Sequence, residues 1–141
     1  MRISQRGLYA LQAVTMLARR RRESTVKVRD IAEEEELPPK FLELILIQLK
    51  QAGIVESVRG NRGGYRLRRE PTDIRLSDVI RLIDGPLAPF ADAEKLRDLI
   101  GRDPKHRALF QVFLDVRNAV VEILEKTTVA DITKRKAQGR W

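Results

Sequence analysis

Residues 30–67 read DIAEEEELPPKFLELILIQLKQAGIVESVRGNRGGYRL. The stretch divides by its own punctuation. A short amphipathic run, RDIAEEEEL from Arg29, turns Ile31 and Ala32 inward and four glutamates outward. Pro38-Pro39 ends it, and a proline at the first position of the next helix costs little because that N–H has no intrahelical partner. KFLELILIQLKQAG then places Leu42, Ile45, Leu46 and Leu49 on one stripe, with Gly53 as its C-terminal stop. IVESV and YRLRR are two short strands around a glycine-rich loop, the pattern of a hairpin.

Working outward, SQRGLYALQAVTMLARR at 4–20 reads as an opening helix capped by Ser4, with Leu8, Leu11, Val14, Leu17 and Ala18 at helical spacing. Arg19 to Arg22 read as a solvated helix end, where cations suit the dipole. Val26-Lys27-Val28 reads as extended. Helix, short helix, helix and hairpin is the order of a winged helix-turn-helix, with four or five residues between the second and third helices. After a linker at 69–73, a helix over 76–84 is expected to be capped by Ser77 and stopped by Gly85-Pro86. Another is expected over 91–100, ended by Gly101. A long helix from Asp103-Pro104 to Lys126 would measure about 35 Å. The expected fold is mainly α with a small β-hairpin: a winged helix-turn-helix plus a long dimerisation helix. Its divisions are a DNA-binding domain at 1–72, connecting helices at 73–102, the dimerisation helix at 103–126 and a C-terminal segment at 127–141. The basic tail from Lys134 to Trp141 reads as disordered.

Composition narrows the chemistry. The 141 residues include 28 Lys/Arg and 20 Asp/Glu, for a net charge of +8, one histidine and no cysteine. Thiolate catalysis, disulfides and thiolate-held clusters or zinc are excluded. His106 alone cannot hold a metal and reads as a surface residue early in a helix. Nucleophile–base pairs and phosphate-binding helix motifs are lacking, so an enzyme is not expected. No cofactor is expected. A mean hydropathy of −0.35 and the lack of a long apolar run or signal-peptide core point to a cytoplasmic protein without a membrane partner. Residues 1–70 hold 15 Lys/Arg against 9 Asp/Glu, whereas 71–141 hold 13 against 11. A basic first half suggests a polyanionic partner, with nucleic acid ahead of anionic lipid.

The loop SVRGNRGGYRL sets arginines on glycine-rich backbone. Behind a recognition-type helix, Arg59 and Arg62 can reach phosphates or a narrow minor groove, while the glycines allow close approach and positive φ. As an isolated hairpin, the same loop would be a solvated turn. The long helix carries two apolar stripes, Leu109, Val112, Phe113, Val116, Val120 and Ile123 in one, and Phe110, Leu114, Val121 and Leu124 beyond it. One stripe suffices for a surface helix. The second therefore predicts a homodimer, with Leu109, Val112, Phe113, Val116, Val120, Ile123 and Leu124 at the interface.

Three segments in register, MRISQRGLYALQAVTMLA, residues 30–67 and LSDVIRLIDGP, resemble the Rrf-two family of bacterial winged-helix regulators, of the IscR/CymR type. The resemblance covers residues 1 to about 86 and continues weakly through EILEKTTVADI. It implies a dimeric transcription factor, with a long helix crossing to the partner subunit. Arg59 and the Gly60, Gly63, Gly64, Tyr65 loop match the family wing, and Phe41, Leu42 and Glu43 match the start of its recognition helix. Leu44 departs from the family's usual Gln, and Ile47 is apolar where polar residues are common. Cluster-binding relatives place three cysteines between Pro86 and His106, and none is present here. The expected DNA surface comprises Arg2, Ser4 and Arg6; Lys40, Phe41, Glu43, Leu44, Ile47 and Gln48; and Arg59, Gly60, Asn61, Arg62, Gly63, Gly64 and Tyr65. The expected function is a sequence-specific transcriptional regulator, a homodimeric repressor without an iron–sulfur cluster, acting on double-stranded DNA at a palindromic operator. The alternatives are a non-specific or architectural nucleic-acid-binding protein, and a module in which the same surface binds protein. The effector is left open.

Overall fold

The computed structural model describes residues 2–21, 25–87 and 92–135. The first three helices are α1 (Gln5–Arg19), α2 (Val28–Glu34) and α3 (Pro39–Gln51), and the hairpin is β1 (Val55–Val58) with β2 (Gly64–Leu67). After a 3₁₀ turn at Pro71–Asp73 come α4 (Leu76–Asp84), α5 (Ala93–Arg102), α6 (Arg107–Lys126) and α7 (Val129–Lys134). The winged helix-turn-helix order is as the sequence predicts.

The α3 stripe of Leu42, Ile45, Leu46 and Leu49 is fully buried against α1 and α2. Burial of each such side chain stabilises the fold by roughly 1.5–3 kcal/mol. Ala10, Ala13, Val14 and Leu17 complete the core from α1, and Ile31 from α2. Four residues, 35–38, join α2 to α3, with Glu36 in the left-handed region at φ 54°. The hairpin is antiparallel, with Val55 opposite Leu67 and Val58 opposite Gly64. Val26 adds a third short edge, since its N–H donates to the Tyr65 carbonyl at 2.8 Å and its carbonyl accepts from the Tyr65 N–H at 2.8 Å.

The first helix is anchored at its start by the end of the fourth. The Ser4 hydroxyl accepts from the Gly7 N–H at 2.9 Å, as an N-cap does. The Asp84 carboxylate accepts from the Ser4 N–H at 2.9 Å and from the Ser4 hydroxyl. A negative charge at this helix start also suits the dipole. A Cβ at Gly7 would lie 2.5 Å from Asp84 Oδ2, so a larger residue there would push the Asp84 carboxylate off Ser4.

Several expectations are corrected. Ser77 is not the cap of α4. Helix α4 spans 76–84 as expected, but Arg75 is its N-cap and the Arg75 N–H donates to Asp78, so Ser77 lies inside the helix, fully buried. The expected helix at 91–100 runs over 93–102 instead; Gly101 is inside it, and Ala91 is outside the described residues. The long helix starts at Arg107 rather than at Pro104, because Asp103 accepts from the His106 N–H at 3.1 Å and holds residues 103–106 in turns. Its 20 residues span about 30 Å. The arginine run is not simply solvated: Arg20 pairs with Glu34 and Arg21 with Glu70, while Arg22 lies outside the described residues. Lys134 belongs to α7 rather than to a disordered tail, and 136–141 are outside the described residues.

Helix α7 was not apparent from the sequence pattern. A capping box between Thr128 and Asp131 starts it. The Val129 N–H donates to the Ile74 carbonyl at 2.8 Å, and the Leu76 N–H to the Thr127 carbonyl at 2.9 Å. Buried Val129 thus joins the same core as α1 and α3. Helix α5 packs along α6, and α4 touches α6 as well.

Candidate nucleic-acid interface

Helical spacing sorts the surface of α3. Lys40, Leu44, Ile47 and Gln51 fall opposite the buried stripe. Phe41 and Gln48 lie on one flank, beside α1, where the Arg6 guanidinium donates to the Gln48 amide oxygen at 2.5 Å. Glu43 and Lys50 lie on the other. Glu43 borders a shallow groove formed with Val28, Arg29, Ala32 and Glu33 of α2 and with Leu37. The outer face is unusually apolar: Phe41 is 51% exposed, Leu44 57% and Ile47 45%.

The wing loop, 59–63, is closed by the Gly63 N–H donating to the Gly60 carbonyl at 2.8 Å. Arg59, Gly60, Asn61 and Arg62 are exposed at its tip. The Thr25 hydroxyl donates to the Arg62 carbonyl at 2.5 Å and ties the loop to the strand edge before α2. Gly60, at φ 107°, has open space where a Cβ would point, so its backbone alone requires glycine.

The structure also separates the cations. Arg20, Arg21, Arg66 and Arg81 are paired with Glu34, Glu70, Glu56 and Glu125. Arg69 donates to the Ala52 carbonyl at 3.1 Å. Among the described residues, Arg2, Lys40, Arg59 and Arg62 have no carboxylate partner. Charge at the start of α1, on α3 and at the wing tip is thus available for polyanion contact.

Some expected site residues have other tasks. Ser4 is a cap and latch; its hydroxyl is engaged by Gly7 and Asp84 rather than free for DNA. Gly63 is buried, and Gly64 abuts the Val26 backbone, so turn closure and strand packing explain both better than phosphate approach does. Tyr65 is half-buried against the core. The sequence reading omitted Lys27, exposed beside the wing, and Lys50 and Gln51 on α3; the 40, 44, 47, 51 spacing was the signal for Gln51.

Helix α6 divides its apolar residues between an open side and a half-buried one, and the first stripe contributes to both. Leu109, Val112, Val116 and Ile123 are exposed. Phe113, Val120 and Leu124, expected at the dimer interface, are half-buried within the protomer, and Phe113 stacks edge-on with Phe110 at 6.5 Å.

A helix-turn-helix with a cation-tipped wing, followed by a long helix with an open apolar stripe, defines a winged-helix transcriptional regulator. The chain belongs to the Rrf2 family, whose model, described as an iron-dependent transcriptional regulator, matches residues 3–135. It is similar to the HTH-type transcriptional regulator Rv1287 of Mycobacterium tuberculosis, 41% identical over 94% of this chain and 81% of that protein. CymR of Bacillus subtilis is 36% identical over 94% of this chain and 89% of its own. The solved structure of CymR, described as the global cysteine regulator of that organism, superposes with a TM-score of 0.81 at 32% identity, covering 94% of this chain and 96% of that one. The IscR structure from T. potens gives 0.74 at 34% identity, covering 100% and 93%. The protein is a transcriptional regulator and not an enzyme.

Iron does not fit this chain's donors. It has no cysteine, and among the described residues no three of His, Cys, Asp and Glu are grouped to hold a metal. His106 Nδ1 is 2.9 Å from Asp103 Oδ2, a hydrogen bond that holds the Asp103 carboxyl below the usual range. Among the described residues, no helix is long and apolar enough to cross a membrane.

Proposed function

We propose that the protein is a cytoplasmic, homodimeric, sequence-specific repressor. Two copies, joined through the open stripe of α6, set two α3 helices into successive major grooves of a palindromic operator, with each wing on the neighbouring backbone or minor groove. The observation that carries this reading is the exposed outer face of α3, with Leu44 and Ile47 between Lys40 and Gln51, together with a wing whose tip exposes Arg59 and Arg62 without carboxylate partners among the described residues.

A salt titration of two variants tests it against non-specific binding. Arg62→Ala is expected to weaken a best site and a scrambled site about equally, and to lower the slope of log affinity against log salt by about 0.9 for each phosphate no longer neutralised. Glu43→Ala is expected to change which sequences bind, by about 1–3 kcal/mol at the affected base pair. If neither duplex is preferred by the unmodified protein, the architectural reading replaces this one. An unchanged slope for Arg62→Ala, with weakening only at the best site, would make the wing a base reader.

Metal independence follows from the donor set. Protein prepared with a chelator is expected to bind DNA as tightly as untreated protein in a mobility-shift titration. A large drop in affinity, restored by one metal ion, would overturn the expectation.

A further inference from the structure

We infer that α3 recognises thymine through its C5 methyl group, with Leu44 and Ile47 as the residues that determine specificity. The inference rests on the proposed placement of α3 in the major groove. Its starting point is an anomaly. The outward face of a surface helix is normally polar, yet Leu44 is 57% exposed and Ile47 45% exposed opposite the buried stripe, with Phe41 at 51% on the adjoining flank. A contiguous exposed apolar patch marks a contact surface.

Charge selects the occupant. The patch lies between Lys40 and Lys50 of α3, with Glu43 the acid on this part of the helix, and the separate wing tip adds exposed Arg59 and Arg62. A second copy of the same surface would bring cation against cation. An ordinary apolar partner helix would leave those cations without counter-charge. Double-stranded DNA supplies both needs: phosphates for the cations, and one apolar group in the major groove, the thymine methyl.

The discrimination works in both directions. A branched aliphatic side chain against the methyl removes apolar surface from water on both sides. Against cytosine it meets a desolvated amino donor, and against guanine two desolvated acceptors, and it can satisfy neither. The centre of this face is apolar between Lys40 and Gln51, and further polar readers lie on its flanks, Gln48 beside Arg6 and Glu43 beside α2. Thymine is therefore expected at the centre of each half-site, with hydrogen-bonded bases to either side.

The experiment begins with selection of bound sequences from random duplexes by the full-length protein. Each thymine of the selected site is then replaced singly by deoxyuridine, which removes the methyl and keeps every pairing group. At least one such replacement per half-site is expected to lower affinity about fourfold, the effect of one buried methyl-sized group. With Leu44→Ala or Ile47→Ala, that uracil penalty is expected to vanish at the position the residue covers; both side chains are exposed, so neither substitution should unfold the protein. A selected site that binds equally well with uracil at every position overturns the inference alone. So does a uracil penalty that neither variant removes, because it would arise from duplex shape. Failure to enrich any sequence overturns this inference together with sequence-specific function.

Discussion

Replacing Val112 and Val116 together by glutamate is expected to convert the dimer to a folded monomer. In a single protomer these two side chains are 55% and 41% exposed, so their charges do not disturb its own core. In a two-fold interface every substitution occurs twice, which places four carboxylates in one apolar seam. Removing a carboxylate from water without a partner is costly enough that dissociation is the cheaper outcome. Without the second half-site engaged, operator affinity should fall by roughly 10²–10⁴-fold. Light scattering would give the mass, and circular dichroism would show whether the helices persist. Val120 is the poorer choice because it is half-buried within its own protomer. A stable, DNA-competent dimer of the double variant would refute the assignment of the seam.

The second large effect is expected at Gly64. Its φ is 150°, and a Cβ there would lie 2.5 Å from the Val26 carbonyl oxygen and 2.6 Å from the Val26 carbonyl carbon. Both obstacles are backbone, and the pair of 2.8 Å hydrogen bonds between Val26 and Tyr65 holds them in place. Gly64→Ala should therefore break that edge and release the wing, at about 2–4 kcal/mol, with backbone strain supplying roughly 1–3 kcal/mol of it. The melting temperature should fall by roughly 5–15 °C. DNA affinity should fall further than stability alone accounts for, because Arg62 is tethered to the same edge through Thr25. Gly60→Ala is the control: it shares a positive φ of 107° but meets nothing within 4 Å, so about 1 kcal/mol is expected. If Gly64→Ala melted with the unmodified protein, the edge would not hold the wing.

Much of the candidate surface was legible because local rules govern it. The α3 stripe follows from 3.6-residue spacing, and the wing from a glycine cluster between two β-prone segments. Less legible was the division of labour within the loop. Gly60, Gly63 and Gly64 look alike in the sequence, yet Gly60 serves backbone conformation, Gly63 turn closure and Gly64 packing on Val26. Only the position of Val26, far off in the chain, separates them. Ser4 is a similar case: its capping role is local and was readable, whereas its bond to Asp84, 80 residues away, was not.

By itself the sequence determined the class of protein: a helix-turn-helix with a basic wing, a chain whose donors do not suit iron, and a long helix too apolar for one interface. These follow from composition and short-range periodicity, which any conformation of the chain retains. Tertiary structure alone decided which arginines are free to meet a phosphate, since Glu34 and Glu70 reach Arg20 and Arg21 only in the folded chain. It also decided which residues of α6 stay open, because with α5 packed along that helix Leu109, Val112, Val116 and Ile123 are exposed whereas Phe113 and Val120 of the same stripe are half-buried. Finally, it decided that residues 127–134 return to α1. The Thr128–Asp131 capping box is local, but the anchors that return the segment are backbone hydrogen bonds to Ile74 and Leu76, whose partners are set by the fold rather than by side-chain spacing.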